Sequence, residues 1–277
     1  MTTWLITGCS SGLGRELART VLARGDSAVV TARDPGAVTD VCAPYPDRAL
    51  AVALDVTSPE QVREAVARGA ERFGGIDVLV NNAGYGYRAA VEEGVPADVA
   101  RLFATHVHGP VDLVKAVLPG MRARRSGTIV TVSSIAARSS AAGSGYYAAA
   151  KAAMEALTSS LRVEVAPLGI AAFSVEPGAF RTDFAGRSLT QVADPIADYA
   201  PTAGLRRKEN DTTDGTQAGD PARAAEAIIA AVEAPEPPRL LVLGTDARTR
   251  FAEVLAEQQA DLDAWAAVGA GTDFAAG

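Results

Sequence analysis

Thr3-Trp4-Leu5-Ile6-Thr7-Gly8-Cys9-Ser10-Ser11-Gly12-Leu13-Gly14 decides how this chain folds. An apolar run suited to a buried strand, Trp4–Thr7, passes directly into a glycine cluster and then into a helical pattern over Leu13–Ala23. A backbone that turns sharply out of a strand and approaches a phosphate needs residues without a Cβ, and a pyrophosphate held there meets the positive end of the helix. Many glycine clusters are ordinary turns. Strand, glycines and helix in this order point to dinucleotide binding, with Gly8, Ser10, Ser11, Gly12, Leu13 and Gly14 at the contact.

The same rhythm continues down the chain. Apolar runs suited to buried parallel strands recur at Ala28–Ala32, Ala49–Leu54, Val78–Val80, Thr128–Val132, Ala171–Val175 and Leu240–Leu243. Helical patterns lie between them at Pro59–Phe73, Pro96–Arg125 (with a break expected near Gly109-Pro110), Tyr146–Ala166 and Pro221–Ala234. Seven strands with intervening helices predict an α/β fold, a doubly wound parallel sheet flanked by helices, in one domain over residues 1–277. Residues 186–219, rich in Gly, Thr, Asp and Arg, break the periodicity and are expected to form a substrate lid. Asp246 to Trp265 reads as a last amphipathic helix, and Gly269–Gly277 as a frayed end.

Composition narrows the function. Hydrophobic residues make up 48% of the 277 positions, charged residues 21%, and the net charge is −7. No basic cluster larger than Arg122, Arg124 and Arg125 occurs, so nucleic acid is not the expected partner. Two cysteines, Cys9 and Cys42, make no disulfide framework and fit a reducing compartment. The chain enters its first strand at once, and no run approaches the ~20 apolar residues that span a bilayer. A cytoplasmic protein with neither a membrane segment nor a metal site is expected.

The end of the second strand, Thr31-Ala32-Arg33-Asp34, speaks to the dinucleotide. An acidic residue at the position of Ala32 would bond a ribose 2′-hydroxyl and repel a 2′-phosphate, whereas a guanidinium clamps a phosphate. Arg33 therefore favours NADP(H) over NAD(H). Asp34 is the counter-signal, and Arg33 as a plain solvated loop residue is the competing reading.

Among 26 basic residues only Lys115, Lys151 and Lys208 are lysines. Lys151 stands one helical turn after Tyr147, so the two share a face that Tyr146 does not. A phenol of unperturbed pKa ~10 beside an ammonium is drawn toward its phenolate, which primes it for proton transfer. Alone, the pair reads as an ordinary surface contact.

With the glycine motif, Asn81-Asn82-Ala83-Gly84 and Tyr147/Lys151 in this order, the chain resembles the short-chain dehydrogenase/reductase family over nearly its whole length. The resemblance implies a Rossmann fold and hydride transfer between a nicotinamide cofactor and a ketone or secondary alcohol. It places a serine thirteen positions before the tyrosine, which is Ser134, and leaves Ser133 as a strand-end hydroxyl pointing the other way. It implies further cofactor contacts at Asp55 and Val56, at Asn82, Ala83 and Gly84, and at Pro177, Gly178, Phe180 and Thr182. Ser11 and Arg33 match the 2′-phosphate contacts of the ketone and hydroxysteroid-type reductases. Tyr147 would be the general acid or base, Ser134 would steady the carbonyl oxygen, and Lys151 would lower the tyrosine's pKa and hold the ribose.

One position departs. Where the family usually carries a relay asparagine in the fourth helix, this chain has His106 in Thr105-His106-Val107-His108. A histidine could relay protons itself, with pH-sensitive turnover as its mark, or merely satisfy local hydrogen bonds. His108 has no motif behind it. The segments carrying Tyr85 and Tyr87, Ile135, Ala136 and Arg138, and Phe180 and Phe184 should line a mostly apolar substrate pocket. A carbocyclic or aromatic ketone would suit it; core packing is the alternative for these aromatics. The resemblance also implies a homodimer or homotetramer through Pro96–Arg125 and Tyr146–Ala166. A catalytically weak dinucleotide-binding sensor or scaffold, and an epimerase or dehydratase on the same scaffold, are the competing functions.

Overall fold

In a computed structural model the strands β1 (Thr3–Ile6), β2 (Ser27–Ala32) and β3 (Ala49–Ala53) alternate with helices α1 (Gly12–Ala23) and α2 (Thr39–Cys42). Then come α3 (Pro59–Phe73), β4 (Val78–Asn81), the short β5 (Gly86–Arg88), α4 (Pro96–Phe103), α5 (Gly109–Arg124) and β6 (Gly127–Val132). The chain continues through α6 (Gly145–Val165), β7 (Ile170–Pro177), β8 (Leu189–Gln191), α7 (Ala203–Thr213) and α8 (Pro221–Glu233). It closes with β9 (Leu240–Leu243), α9 (Thr245–Ala264) and α10 (Ala266–Ala270). The structure describes residues 1–274 except 183, 185, 187 and 214, and leaves out the side chains of 209–213.

The main sheet has seven strands in the order β3-β2-β1-β4-β6-β7-β9, every pairing parallel. Strand periodicity explains why each strand reads as continuously apolar. Ile6, Val30, Val80 and Val130 face one core, with Leu17 and Val21 of α1 and Ile228 of α8. Their neighbours Leu5, Val29, Leu79 and Ile129 face the other, with Val62 of α3 and Leu113 and Val117 of α5. The order reverses between β1 and β4, so the loops at their carboxyl ends part and leave a crevice.

The break expected near Gly109-Pro110 takes the form of a single π turn over Ala104–His108 that separates α4 from α5. Two expectations change. Residues 186–219 contain more structure than a weakly periodic loop suggests. They carry β8, paired with β5, a 3-10 turn at Ala197–Tyr199 and α7. Positions 187 and 214 of that segment lie outside the described residues. The reason for its order is remote in sequence: the buried Glu93 carboxylate accepts hydrogen bonds from Ala90 N and Ile196 N and pairs with Arg207 at 2.8 Å. The expected frayed end is helical at its start, in α10, and residues 275–277 lie outside the description.

Candidate active site

A cleft of about 580 Å³ runs from the loop before α1 to the start of α6. At one end the Asn82 amide donates to Thr7 O at 2.8 Å, while Thr7 Oγ1 accepts from Asn82 N and Ala83 N, both at 2.9 Å. This lacing explains one glycine outright: a Cβ on Gly14 would overlap Asn82 Nδ2. Asn82 therefore shapes the loop through its amide and also borders the cleft. Ser11 is the N-cap of α1, yet its side chain makes no capping bond and the first turn carries no acidic residue. With Gly8, Ser10, Gly12 and Leu13 beside it, the first turn presents N–H donors and a hydroxyl to the cleft, the donor set a pyrophosphate needs.

Arg33 follows the last residue of β2 and is exposed on the cleft wall with Ala32. Asp34 is committed elsewhere: its Oδ1 accepts from Gly36 N at 2.9 Å and caps the turn at Pro35–Val38. The counter-signal to Arg33 is thereby absorbed into local structure. Asp55 and Val56 line the same end. Bonds from the Thr57 hydroxyl and N–H hold the Asp55 carboxyl below its ordinary range, with Arg33 adding to the effect. Ala83, Gly84, Pro177, Phe180 and Thr182 also line the cleft; Gly178 and Gly14 do not.

At the far end Tyr147 and Lys151 are both 6% exposed, on the same face of α6, and Ser134 lines the wall beside them. Lys151 Nζ donates to Val132 O at 2.7 Å and lies 5.8 Å from the centre of the Tyr147 ring. The expected lowering of the tyrosine's pKa by this lysine is not found. Burial pushes the phenol up to about 12, against the pull of a Ser134 hydrogen bond and of the Arg88 charge. Burial likewise brings Lys151 down to about 8. Desolvation outweighs charge here because both groups are buried.

His106 sits in the π turn and is 3% exposed. Its Nε2 is 2.8 Å from Tyr85 O and 3.1 Å from Tyr85 N. The shorter contact is made by the Nε2–H tautomer, and Nδ1 is left buried without a partner. Gly84 allows the approach, since a Cβ there would lie 2.5 Å from His106 Cε1. Titration near neutrality does not survive: burial and the nearby Lys151 hold the imidazole well below 6.5, so it stays neutral. His108 is exposed.

Of the expected substrate residues, Tyr85, Tyr87, Phe180 and Phe184 line the cleft. Phe184 lies against Tyr147 at 5.8 Å between centroids. Tyr87 is buried and spends its hydroxyl accepting from Val95 N. Ile135, Ala136 and Arg138 are not brought to the cleft. Ala136 N donates to Ser134 Oγ, and Arg138 turns away to Glu155 and Glu176. The wall is also more polar than expected, because Asp98, Arg101 and Thr105 of the α4 region and Ser188 and Thr190 around β8 border it. Among the described residues no His, Cys, Asp and Glu group suited to a metal occurs, and no helix is long and apolar enough to cross a membrane.

The model of the short chain dehydrogenase family matches residues 2–193. This chain belongs to the short-chain dehydrogenase family. Oxidoreductase BOA17 of Botryotinia fuckeliana (strain B05.10) is 40% identical to it over 245 residues, 88% of this chain and 89% of that protein. A short-chain dehydrogenase crystal structure from Streptomyces avermitilis superposes with a TM-score of 0.92 at 42% identity, over 99% of this chain and 100% of that one. A short-chain dehydrogenase from Burkholderia cenocepacia J2315, solved in complex with NADP, gives a TM-score of 0.74 at 25% identity, covering 95% and 96%. The chain thus shares its fold with a Burkholderia cenocepacia family member that was solved with NADP bound.

Proposed function

We propose that the chain is an NADP(H)-dependent oxidoreductase interconverting a ketone and a secondary alcohol, with Tyr147 as general acid or base. The observation that carries this reading is the burial of Tyr147 and Lys151 at the end of the cleft opposite the phosphate-binding loop. Gly8, Ser10, Ser11, Gly12 and Leu13 would hold the pyrophosphate, Asp55 and Val56 the adenine, and Arg33 with Ser11 the 2′-phosphate. The chemistry supplied by the bound cofactor is hydride transfer to or from the carbonyl carbon.

The chain's own residues handle the oxygen. In reduction Tyr147 gives its phenolic proton to the carbonyl oxygen, and Ser134 donates a second hydrogen bond that steadies the developing charge. Lys151, whose ammonium lies 5.8 Å from the centre of the Tyr147 ring, would supply a bond to the ribose. In oxidation Tyr147 takes the proton back. Phe184, Phe180 and Tyr85 would seat the apolar part of a carbocyclic or aromatic ketone, and residues 186–219 would close over it. Self-association through α5 and α6 belongs to the same reading.

The test is loss of nicotinamide absorbance when NADPH, then NADH, is mixed with a panel of cyclic and aromatic ketones. Ketone-dependent oxidation that prefers NADPH is expected. Tight nucleotide binding with no turnover on any ketone would favour the sensor reading.

A further inference from the structure

Directly behind Tyr147 and Lys151 lies a buried ionic network that the reaction described above does not use. Glu155 follows Lys151 by one turn of α6, as Lys151 follows Tyr147. The Ser133 hydroxyl donates to Glu155 Oε1 at 2.5 Å, although Ser133 borders the main cleft as Ser134 does. Arg138 Nη2 reaches Glu155 Oε2 at 2.8 Å and Arg138 Nε reaches Glu176 Oε1 at 2.9 Å. Glu176 is fully buried, and its Oε2 meets no donor. A bare carboxylate oxygen there would be costly, and a proton shared between the two glutamates satisfies it. The network borders a second cavity of about 220 Å³, lined by Arg138, Glu155, Arg162 and Arg239, with no residue in common with the main cleft.

We propose that Glu155, with Glu176 as the carboxyl that shares its proton, is a positioning residue that keeps the buried Lys151 in its charged form. This rests on the reading of Lys151 as the ammonium that works with Tyr147. The argument is one of charge. Lys151 has one hydrogen-bond acceptor, the Val132 carbonyl, and burial disfavours its ammonium. The charged and titratable groups are, element by element, Glu155 on α6 and His106 in the π turn beside Lys151, and Arg138 after β6 and Glu176 on β7 beside Glu155. Arg88 on β5 acts on Tyr147, and α9 adds Arg250 through Ser139 and Phe251 under the Arg138 guanidinium. His106 is neutral, so Glu155, one turn along α6, is the negative charge that acts on Lys151. While the pair keeps its proton, Lys151 and Arg138 face one negative charge. When the pair loses it, they face two. That loss falls at about 8 for Glu176, and burial brings Lys151 to about 8 even with the Glu155 charge beside it.

Three lysines make this measurable without turnover. In protein labelled with ζ-15N lysine, Lys115 and Lys208 are exposed reference signals and Lys151 is the third. The Lys151 titration midpoint should fall by about one pH unit in Glu155→Gln and by less in Glu176→Gln, while Glu155→Asp should largely restore it. The alkaline limb of kcat should move with it. A midpoint unchanged in Glu155→Gln and Glu176→Gln overturns the proposal, even where kcat or stability has dropped, because a merely structural role would act so. If Glu155→Gln does not fold, Glu176→Gln decides in the same way. The titration needs no substrate, so an inert ketone panel would count against the oxidoreductase reading and leave this measurement standing.

Discussion

The His106 imidazole meets the Tyr147 ring edge-on, with centroids 5.6 Å apart and planes at 89°. The same imidazole holds the backbone of Tyr85, so one side chain touches both the Tyr147 ring and the wall of the cleft. Because it stays neutral, wild-type kcat should show no limb near the usual histidine value. In His106→Asn the bond to Tyr85 is lost or lengthened, worth ~1 kcal/mol, and KM for the ketone should rise about fivefold with kcat little changed. Profiles of kcat and KM against pH check this. A histidine-like limb that vanishes in the variant would show instead that His106 itself carries protons.

Tyr147→Phe keeps the ring between His106 and Phe184 and removes only the hydroxyl. Turnover should fall by roughly 10²–10⁴, with NADPH affinity within a few-fold and the melting temperature nearly unchanged. Fluorescence titration beside steady-state rates separates binding from chemistry. Undiminished turnover would remove Tyr147 from the mechanism.

Much of this was legible in sequence because the relevant physics is local. The glycine-rich turn after β1, the seven strands and the shared Tyr147/Lys151 face follow from side-chain size and periodicity over short stretches. What escaped is set by contacts between distant segments. Arg138 follows Ser134 closely and looks like a pocket residue, but Glu155 and Glu176, far along the chain, turn it away. The direction of the Tyr147 shift depends on burial, which a one-turn spacing does not report. Residues 186–219 lack periodicity, and Glu93, a residue outside the segment, bonds Ile196 and Arg207 within it. A signal for the glutamate network was nonetheless present: Glu155 extends the Tyr147, Lys151 spacing by one more turn.

Arg33 is exposed on the cleft wall, and Asp34 is tied into its own turn. Arg33→Ala should raise the KM for NADPH roughly 10- to 100-fold, the loss of charge-assisted bonds of ~1.5–3 kcal/mol, and leave that for NADH nearly unchanged. Equal losses with both cofactors would mean that Arg33 does not read the 2′-phosphate.

Glu176 ties stability to pH. Its carboxyl is raised in the folded protein from 4.5 to about 8, first by burial and then by Glu155. Between those two values the folded chain binds a proton that the unfolded chain lacks, so this group stabilises the fold fully below pH ~4.5, and the contribution is lost as pH rises through about 8. Lys151 acts in the opposite sense only above about 8, where the unfolded chain holds the extra proton. Urea unfolding at a series of pH values between about 6 and 7.5 should thus show stability falling by up to ~1.4 kcal/mol per pH unit from this group. Glu176→Gln should flatten that slope, since the amide keeps the shape of the protonated acid and has no proton to lose. A slope identical in the two proteins would mean that Glu176 is ionised in the fold, and that Arg138 alone neutralises it.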